Sequence, residues 1–178
     1  MPTEELSLRD RIVYLGRIDL FQGLAVSELL AVATVTDERS YPAGAVVMES
    51  CETCAGLHLI VEGEVLAERR MEGSDCPTLK VARFGPGESF GELALFGEMP
   101  GGVQVKAVTD VTLLILEKRE FDAVVQEYPE IALRVCRKLS QRIRMLLDRV
   151  QECEACRCRL EEAVNAPLLS PLSGARGA

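Results

Sequence analysis

Apolar residues near the N-terminus recur at close to helical spacing. They are Ile12, Leu15, Ile18, Leu20 and Phe21. Gly23 interrupts the pattern, and a second apolar run follows at residues 26–30. Spacing of three to four residues puts apolar side chains on one face of a helix, whereas glycine breaks helices. The pattern therefore predicts a helical lead-in over residues 6–33, with its apolar faces covering a sheet.

From Glu38 to Glu117 the pattern changes to short runs of β-branched and apolar residues. The runs are Val46–Met48, His58–Val61, Glu64–Ala67, Thr78–Val81, Val103–Val105 and Val111–Leu116. Turn-forming residues separate them at 42–44, 62–63, 72–75 and 85–87. Many short strands with no helices between them are typical of a β-barrel or β-roll.

The last third of the chain has a helical pattern. One helix is predicted from Lys118 to near Pro129, and a second from Glu130 to Val164, because neither Gly nor Pro interrupts the second segment. At 1.5 Å per residue the second helix is about 50 Å long. Its apolar positions alternate by four and three residues. They are Leu139, Ile143, Leu146, Val150, Cys153, Leu160 and Val164, with Arg157 as the polar member of the series.

This heptad seam predicts a homodimer held by a parallel coiled coil. The first two turns of the helix have an alternative, which is to pack on the roll, but the apolar positions beyond Val150 need a partner helix. In a parallel pair Cys153 faces its mate, which predicts an oxidative cross-link between the two chains. Residues 165–178 contain Pro, Ser and Gly and are predicted to be a disordered tail.

Charge and composition narrow the classes of function. The net charge is −8 over 178 residues, which disfavours a nucleic-acid surface because phosphate binding needs clustered Lys and Arg. The apolar runs in the strand region, such as residues 59–61 and 113–116, are far too short to span a membrane. The N-terminus carries acidic residues where a signal peptide would be basic and then apolar. We therefore expect a cytoplasmic protein without a membrane span.

The seven cysteines are interpreted as reduced thiols, since an odd number without a secretion signal does not indicate a disulfide framework. The pairs Cys51/Cys54 and Cys153/Cys156, with Cys158 nearby, have a spacing that zinc and iron–sulfur sites use. However, one pair lies in a predicted loop and the other in a predicted helix, and neither has the Gly-rich turn of a zinc knuckle. We predict no metal, with a four-thiolate site as the alternative.

No enzymatic activity is predicted. A catalytic site needs a base, a nucleophile and an orienting group close together. His58 is the only histidine, it falls on a predicted strand, and the chain has no metal-binding His pair. Packing is the better explanation of His58.

The run FGELALFGEMPGG, residues 90–102, is the most informative stretch of the chain. Gly91 permits close approach of the backbone to a ligand, and the apolar turn that follows has N–H groups that can hold an anion. Glu92 has a carboxylate that can accept hydrogen bonds from a sugar hydroxyl. The alternative for Glu92 is a capping role on a short helix, which needs no ligand.

This run resembles the phosphate-binding cassette of the cyclic nucleotide-binding domain. That family is the β-roll shared by the regulatory subunit of protein kinase A, the catabolite activator protein and cyclic nucleotide-gated channels. Gly44 and Gly63 match its framework glycines, and the resemblance runs from about Leu20 to Arg144. It implies an α+β fold: an antiparallel β-roll (a double-stranded β-helix, jelly-roll-like) with N-terminal helices and a long C-terminal helix. The implied domains are 6–128 for the binding domain, 129–164 for the long helix and 165–178 for the tail.

The resemblance also implies a ligand site for cAMP or cGMP, in which Glu92 binds the ribose 2'-hydroxyl and the backbone N–H groups of the turn hold the phosphate oxygens. The C-terminal helix closes over the base, with Arg142 near the position from which some bacterial channel domains reach the purine. The implied ligand-binding residues are Phe90, Gly91, Glu92, Leu93, Ala94, Leu95, Gly101, Gly102, Val103 and Arg142.

The sequence departs from the family pattern at one position. The family has an arginine after the cassette proline to neutralise the cyclic phosphate, whereas this chain has Gly101 after Pro100. Glycine cannot replace the charge-assisted contacts of a guanidinium. Lys106 is the nearest downstream cation. We therefore predict a degenerate cassette with weak or altered cyclic nucleotide binding.

Three functions remain open. The first is a dimeric regulatory sensor that signals to a protein partner through its C-terminal helix. The second is a ligand-free scaffold for protein–protein contacts, which the flexible, uncharged pair Gly101-Gly102 favours. The third is a sensor of another nucleotide or a small acid. The chain has no segment long enough for a helix-turn-helix module after the long helix, so direct DNA binding is not expected.

Overall fold

The computed structural model describes residues 5–49, 56–70, 78–96 and 103–165, and of residues 152–165 it describes the helical backbone alone. The helices are α1 (Leu8–Arg17), α2 (Val26–Thr34), α3 (Lys118–Glu127) and α4 (Pro129–Asn165). The strands are β1 (Asp37–Tyr41), β2 (Val46–Met48), β3 (Gly56–Glu62), β4 (Val65–Arg70), β5 (Thr78–Phe84), β6 (Ser89–Phe90), β7 (Val103–Ala107) and β8 (Val111–Glu117). Short 3₁₀ turns cover Asp19–Phe21 and Glu92–Leu95.

The strands form two antiparallel sheets of four strands each. One has the order β1-β8-β3-β6 and the other β2-β7-β4-β5. Their facing sides share one apolar core, because side chains alternate between the two faces of a strand. That core consists of Ile60, Phe90, Val111, Leu113 and Ile115 from the first sheet and Val65, Ala67, Val105 and Ala107 from the second. The two sheets thus make the predicted β-roll, and the α+β fold class is confirmed.

Helices cover the outer face of the first sheet. Leu57, Leu59, Leu114 and Leu116 alternate with the core positions of β3 and β8 and are fully buried. The guanidinium of Arg11 on α1 bridges to the start of β1, donating to the Thr36 carbonyl at 2.5 Å and lying 3.6 Å from the Glu38 carboxylate. The predicted helical lead-in is therefore correct and consists of α1 and α2.

The chain divides after Lys138 into two compact units. In the first unit, the initial turns of α4 pack on the helical layer, where Ile131 and Val135 are fully buried. Lys138 donates to the Asp19 carboxylate at 2.9 Å, and the Arg134 guanidinium lies over Gly23. These contacts agree with the alternative given for the first turns of the long helix, which was packing on the roll.

The second unit begins with the remainder of α4. Its described side chains include a group of exposed apolar residues: Ile143, Met145, Leu146, Leu147 and Val150, each between 54% and 61% exposed. Three of them, Ile143, Leu146 and Val150, belong to the predicted seam. Cys153 and the seam positions after it lie where only the helical backbone is described. The tail at 166–178 lies outside the described residues.

Two of the described strands, β1 and β6, were not predicted from the sequence pattern. β1 has the polar sequence DERSY and pairs along its whole length with β8, from Asp37↔Ile115 to Tyr41↔Val111. As an edge strand it needs few apolar side chains, so hydrophobicity does not reveal it. β6 is two residues long, too short for any periodicity. In the described part of the chain, no helix is long and apolar enough to cross a membrane.

Candidate functional site

The candidate site begins at a tight turn after β6. Gly91 has φ +82° and ψ 12°, a left-handed conformation that glycine adopts without strain, and it forms the N-cap of the 3₁₀ turn Glu92–Leu95. The Ala94 N–H donates to the Gly91 carbonyl at 3.1 Å, and the Phe96 N–H to the Leu93 carbonyl at 3.1 Å. In such a turn the Leu93 N–H has no partner within the turn itself. It is a backbone donor that an anion could use.

The turn is fixed by burial on one side. Ala94 and Leu95 are 2% and 1% exposed, whereas Leu93 is 57% exposed and Glu92 is half-buried. Lys118, the first residue of α3, donates to the Leu95 carbonyl at 3.2 Å. The turn is therefore held by its apolar residues and presents Leu93 outwards.

Phe90 attaches the turn to the roll. Its side chain is 5% exposed and belongs to the core between the sheets. It lies opposite His58 in the β3–β6 pairing, and the two rings stack with centroids 4.7 Å apart and an interplanar angle of 11°. Burial lowers the pKa of His58 to about 4; the nearby Arg39 charge adds to this shift and a hydrogen bond with the Gly56 backbone opposes it. A neutral imidazole therefore packs directly behind the turn, as predicted for His58.

Three turns meet at the opposite end of the roll. The Gly44 N–H donates to the Ala107 carbonyl at 2.8 Å, the Ala43 N–H to the Asp110 carboxylate at 2.9 Å, and the Glu64 N–H to Thr109 Oγ1 at 3.0 Å. β3 and β7 end at these turns, and β4 begins at one of them. The other ends of these three strands therefore lie at the end of the roll that carries the candidate site. The start of β3, the end of β4 and the start of β7 thus lie at the same end as the Gly91 turn.

Val103 and Arg69 form a pair at this end of the second sheet. Val103 is half-buried and packs against the core, and it lies opposite Arg69 in the β4–β7 register. Val65 and Ala67, four and two residues before Arg69, are core residues. Arg69 therefore shares the inward face of β4 with them.

Lys106 has the opposite orientation. Its neighbours Val105 and Ala107 are buried in the core, so Lys106 lies on the outer face of the second sheet. There its ammonium lies 3.4 Å from the Glu68 carboxylate. The nearest cation after the cassette in sequence therefore does not face the interior of the roll.

The predicted site residues fall into three groups. Phe90, Gly91, Glu92, Leu93, Ala94 and Leu95 form one continuous strand and turn, and Val103 lies at the same end of the roll. Gly101 and Gly102 lie outside the described residues. Arg142 is an exposed residue of the second unit, and its role stays a prediction.

The predicted absence of a metal is tested only in part. Among the described residues no group of His, Cys, Asp and Glu is arranged to hold a metal ion. The pair Cys51/Cys54 lies outside the described residues, and the side chains of Cys153, Cys156 and Cys158 are not described.

Sequence reasoning missed Arg69. The predicted strand ended at Ala67, whereas β4 continues to Arg70. The alternation Val65, Ala67, Arg69 is visible in the sequence and would have placed Arg69 on the inward face. Charged residues at the end of a strand usually mark its exit to solvent, so hydrophobicity ended the predicted strand too early.

Comparison with known proteins agrees with this architecture. Residues 38–128 match the cyclic nucleotide-binding domain family. The chain is 32% identical to the cyclic AMP receptor protein of Thermus thermophilus over 70% of its own length and 57% of that protein. The crystal structure of the catabolite activator protein from the same organism superposes with a TM-score of 0.66 at 29% identity, covering 76% of this chain and 63% of that one.

A further similar structure is a regulatory subunit of a cAMP-independent protein kinase A from Trypanosoma brucei. Its TM-score is 0.61 at 25% identity, with 71% of this chain and 46% of that chain covered. The solved form is a triple mutant, with threonine to arginine, valine to alanine and glutamate to alanine replacements, bound to cAMP in the A site. The chain thus spans less than two thirds of the length of these relatives. By its match over residues 38–128 and its β-roll, this chain belongs to the cyclic nucleotide-binding domain family.

Proposed function

We propose that this protein is a regulatory sensor whose ligand is a nucleotide bound weakly at the Gly91 turn. The observation that carries this proposal is the geometry of the turn. Gly91 is left-handed, Ala94 and Leu95 are buried, and the Leu93 N–H is left over by the turn. Such a turn is a preorganised anion site, and the neighbouring Glu92 carboxylate suits a sugar hydroxyl.

Weak affinity follows from the sequence at position 101. A charge-assisted hydrogen bond to a phosphate contributes about 1.5–3 kcal/mol, which corresponds to a factor of roughly 10–150 in affinity. Glycine supplies no such contact. The relative from Trypanosoma brucei supports this reasoning, because the cAMP-bound form of that cAMP-independent protein carries an introduced arginine and an introduced alanine.

Calorimetric titration with cAMP and with cGMP tests the proposal. We expect dissociation constants in the high-micromolar range or weaker for the natural sequence. The double variant Gly101→Arg, Gly102→Ala should bind at least about tenfold more tightly. Gly85→Arg is the matched control: it adds the same charge at a turn whose added Cβ would approach no atom closer than 3.9 Å, and it should not change affinity.

A ligand-free scaffold is the second candidate function. The glycine pair at 101–102 favours it, and the cAMP-independent relative shows that the fold occurs without dependence on cAMP. If neither the natural sequence nor Gly101→Arg, Gly102→Ala binds either nucleotide at millimolar concentration, the sensor proposal is wrong and the scaffold is favoured.

The proposal includes signalling through α4. Its exposed apolar residues after Lys138 support a homodimer, and a change in that helix pair would transmit ligand binding to a protein partner. The proposal includes the cytoplasmic location predicted from the sequence. It does not include direct DNA binding or catalysis.

A further inference from the structure

An arginine at the site end of the roll is available for an anion. Arg69 lies next to Val103 on β7 and Leu79 on β5, and both neighbours are apolar. The inward positions of β4 and β7 are otherwise Val65, Ala67, Val103, Val105 and Ala107. No carboxylate on these two strands therefore shares the face of Arg69.

Most other basic side chains near Arg69 are already paired or face outwards. Lys106 pairs with Glu68 on the outer face, and Arg83 forms an ion pair with Glu64. Within the residues that the structure describes, Arg69 makes neither an ion pair nor a hydrogen bond. Arg69 is exposed, so its guanidinium is open to a ligand, and its planar pair of N–H donors matches the oxygens of a phosphate.

Within the described strands, Arg39 is the other arginine at an inward position, and it is less well placed. Arg39 lies opposite Leu113 on β8. The Gly91 turn follows Phe90, which lies in one row of paired residues with His58 on β3 and Ile115 on β8. Arg39 is thus one row further from the Gly91 turn. Arg69 belongs to the last row of β4 and β7 at the site end.

We propose that Arg69 supplies the positive charge that holds the phosphate of the ligand at the Gly91 turn. The inference rests on the proposed sensor function and identifies the ligand class as a phosphate ester that also carries a sugar hydroxyl for Glu92. The planar guanidinium would bind the phosphate oxygens from the β4 side, and the Leu93 N–H would bind them from the turn.

Three variants of the full chain test the role of Arg69 by calorimetry with cAMP, cGMP and 5'-AMP. Arg69→Gln should weaken binding of the preferred nucleotide at least about tenfold. Arg69→Lys should retain part of the affinity, because lysine keeps the positive charge but lacks the planar pair of N–H donors of a guanidinium. Arg83→Gln removes the same charge from the neighbouring strand β5 and should leave the affinity unchanged. The salt dependence of binding should also be smaller in Arg69→Gln than in Arg83→Gln.

The outcomes separate this inference from the proposed function. If the natural chain binds a nucleotide and Arg69→Gln binds it as tightly as Arg83→Gln does, Arg69 is not the cation, although the sensor function stands. If no variant binds any of the three nucleotides, including Gly101→Arg, Gly102→Ala, the sensor function fails and the role of Arg69 fails with it. Arg69 is exposed and unpaired within the described residues, so we expect Arg69→Gln to unfold at the same temperature as the natural chain.

Discussion

The imidazole of His58 stacks almost parallel on the phenyl ring of Phe90, with 4.7 Å between the ring centroids. Phe90 is the last strand residue before Gly91, so this stack joins the core of the roll to the turn of the candidate site. Two flat rings in offset contact contribute about 1 kcal/mol beyond the area they bury. The turn of the candidate site is thus attached to the core next to a buried histidine.

Stability should fall as the pH decreases from 6.5 towards 4. His58 has a pKa of about 4 in the folded protein against 6.5 for an unperturbed imidazole. Between these values the unfolded chain binds a proton that the folded protein does not, so acid favours unfolding. The loss should be about 2 kcal/mol at pH 5 relative to pH 7.5. Urea denaturation at the two pH values measures it.

His58→Phe is the informative comparison, because it keeps a stacked ring and removes the titrating group. Carboxylates titrate in both proteins, so the difference between them isolates His58. We expect the variant to lose about 2 kcal/mol less than the natural chain on going to pH 5. Equal losses in the two proteins would show that His58 is already protonated or exposed in the folded state.

The sequence predicted the helices and strands that bury an apolar face. It did not predict which face of a strand a charged side chain lies on. Alternating apolar runs such as His58–Val61 and Val111–Leu116 gave correct strands, because a buried face leaves a periodic signal. The polar strand β1 left none. The faces of Lys106 and Arg69 were also not predicted, because they depend on register and on where a strand ends, which only the pairing of β4 with β7 reveals.

Gly63 should be far less tolerant of substitution than Gly44, although both have φ +82°. A Cβ at Gly63 would collide with the Asp110 carbonyl and approach Thr109 Oγ1 to 2.9 Å, whereas a Cβ at Gly44 would meet nothing within 4 Å. Alanine in the left-handed region costs roughly 1–2 kcal/mol by itself. Gly44→Ala should therefore cost about that amount in unfolding free energy.

Gly63→Ala should cost clearly more than this, about 3 kcal/mol or above, because backbone strain and collision add. Chemical denaturation of both variants at neutral pH provides the measurement. Similar losses at the two glycines would mean that the turn at Thr109–Asp110 moves aside easily.

The first turns of α4 should contribute strongly to the stability of the roll. Ile131 is fully buried, whereas Leu133, on the same helix, is 49% exposed. Truncating a buried isoleucine to alanine removes its burial and leaves a cavity, at a cost of about 2–4 kcal/mol. Ile131→Ala should lower the unfolding free energy by that amount, and Leu133→Ala by less than about 1 kcal/mol. If the two variants are equally stable, the start of α4 is not docked in solution.

The homodimer predicted from the heptad seam has a direct test in the described part of α4. Leu146 and Val150 are both 54% exposed in the single chain and belong to the seam. Replacing both with Asp would place four like charges in a buried dimer interface, which a coiled coil does not tolerate. Sedimentation at micromolar concentration should show a dimer for the natural chain and a monomer for the variant.

Gln141→Asp, Gln151→Asp is the matched control for the seam. It introduces the same two carboxylates on α4 at positions outside the alternation by four and three, so it should remain dimeric. Circular dichroism should show the strands of the roll unchanged in both variants, because their substitutions lie beyond Lys138, in the second unit. A monomeric natural chain would refute the dimer, and dissociation of the Gln141, Gln151 variant would show that general charge repulsion, not the seam, separates the chains.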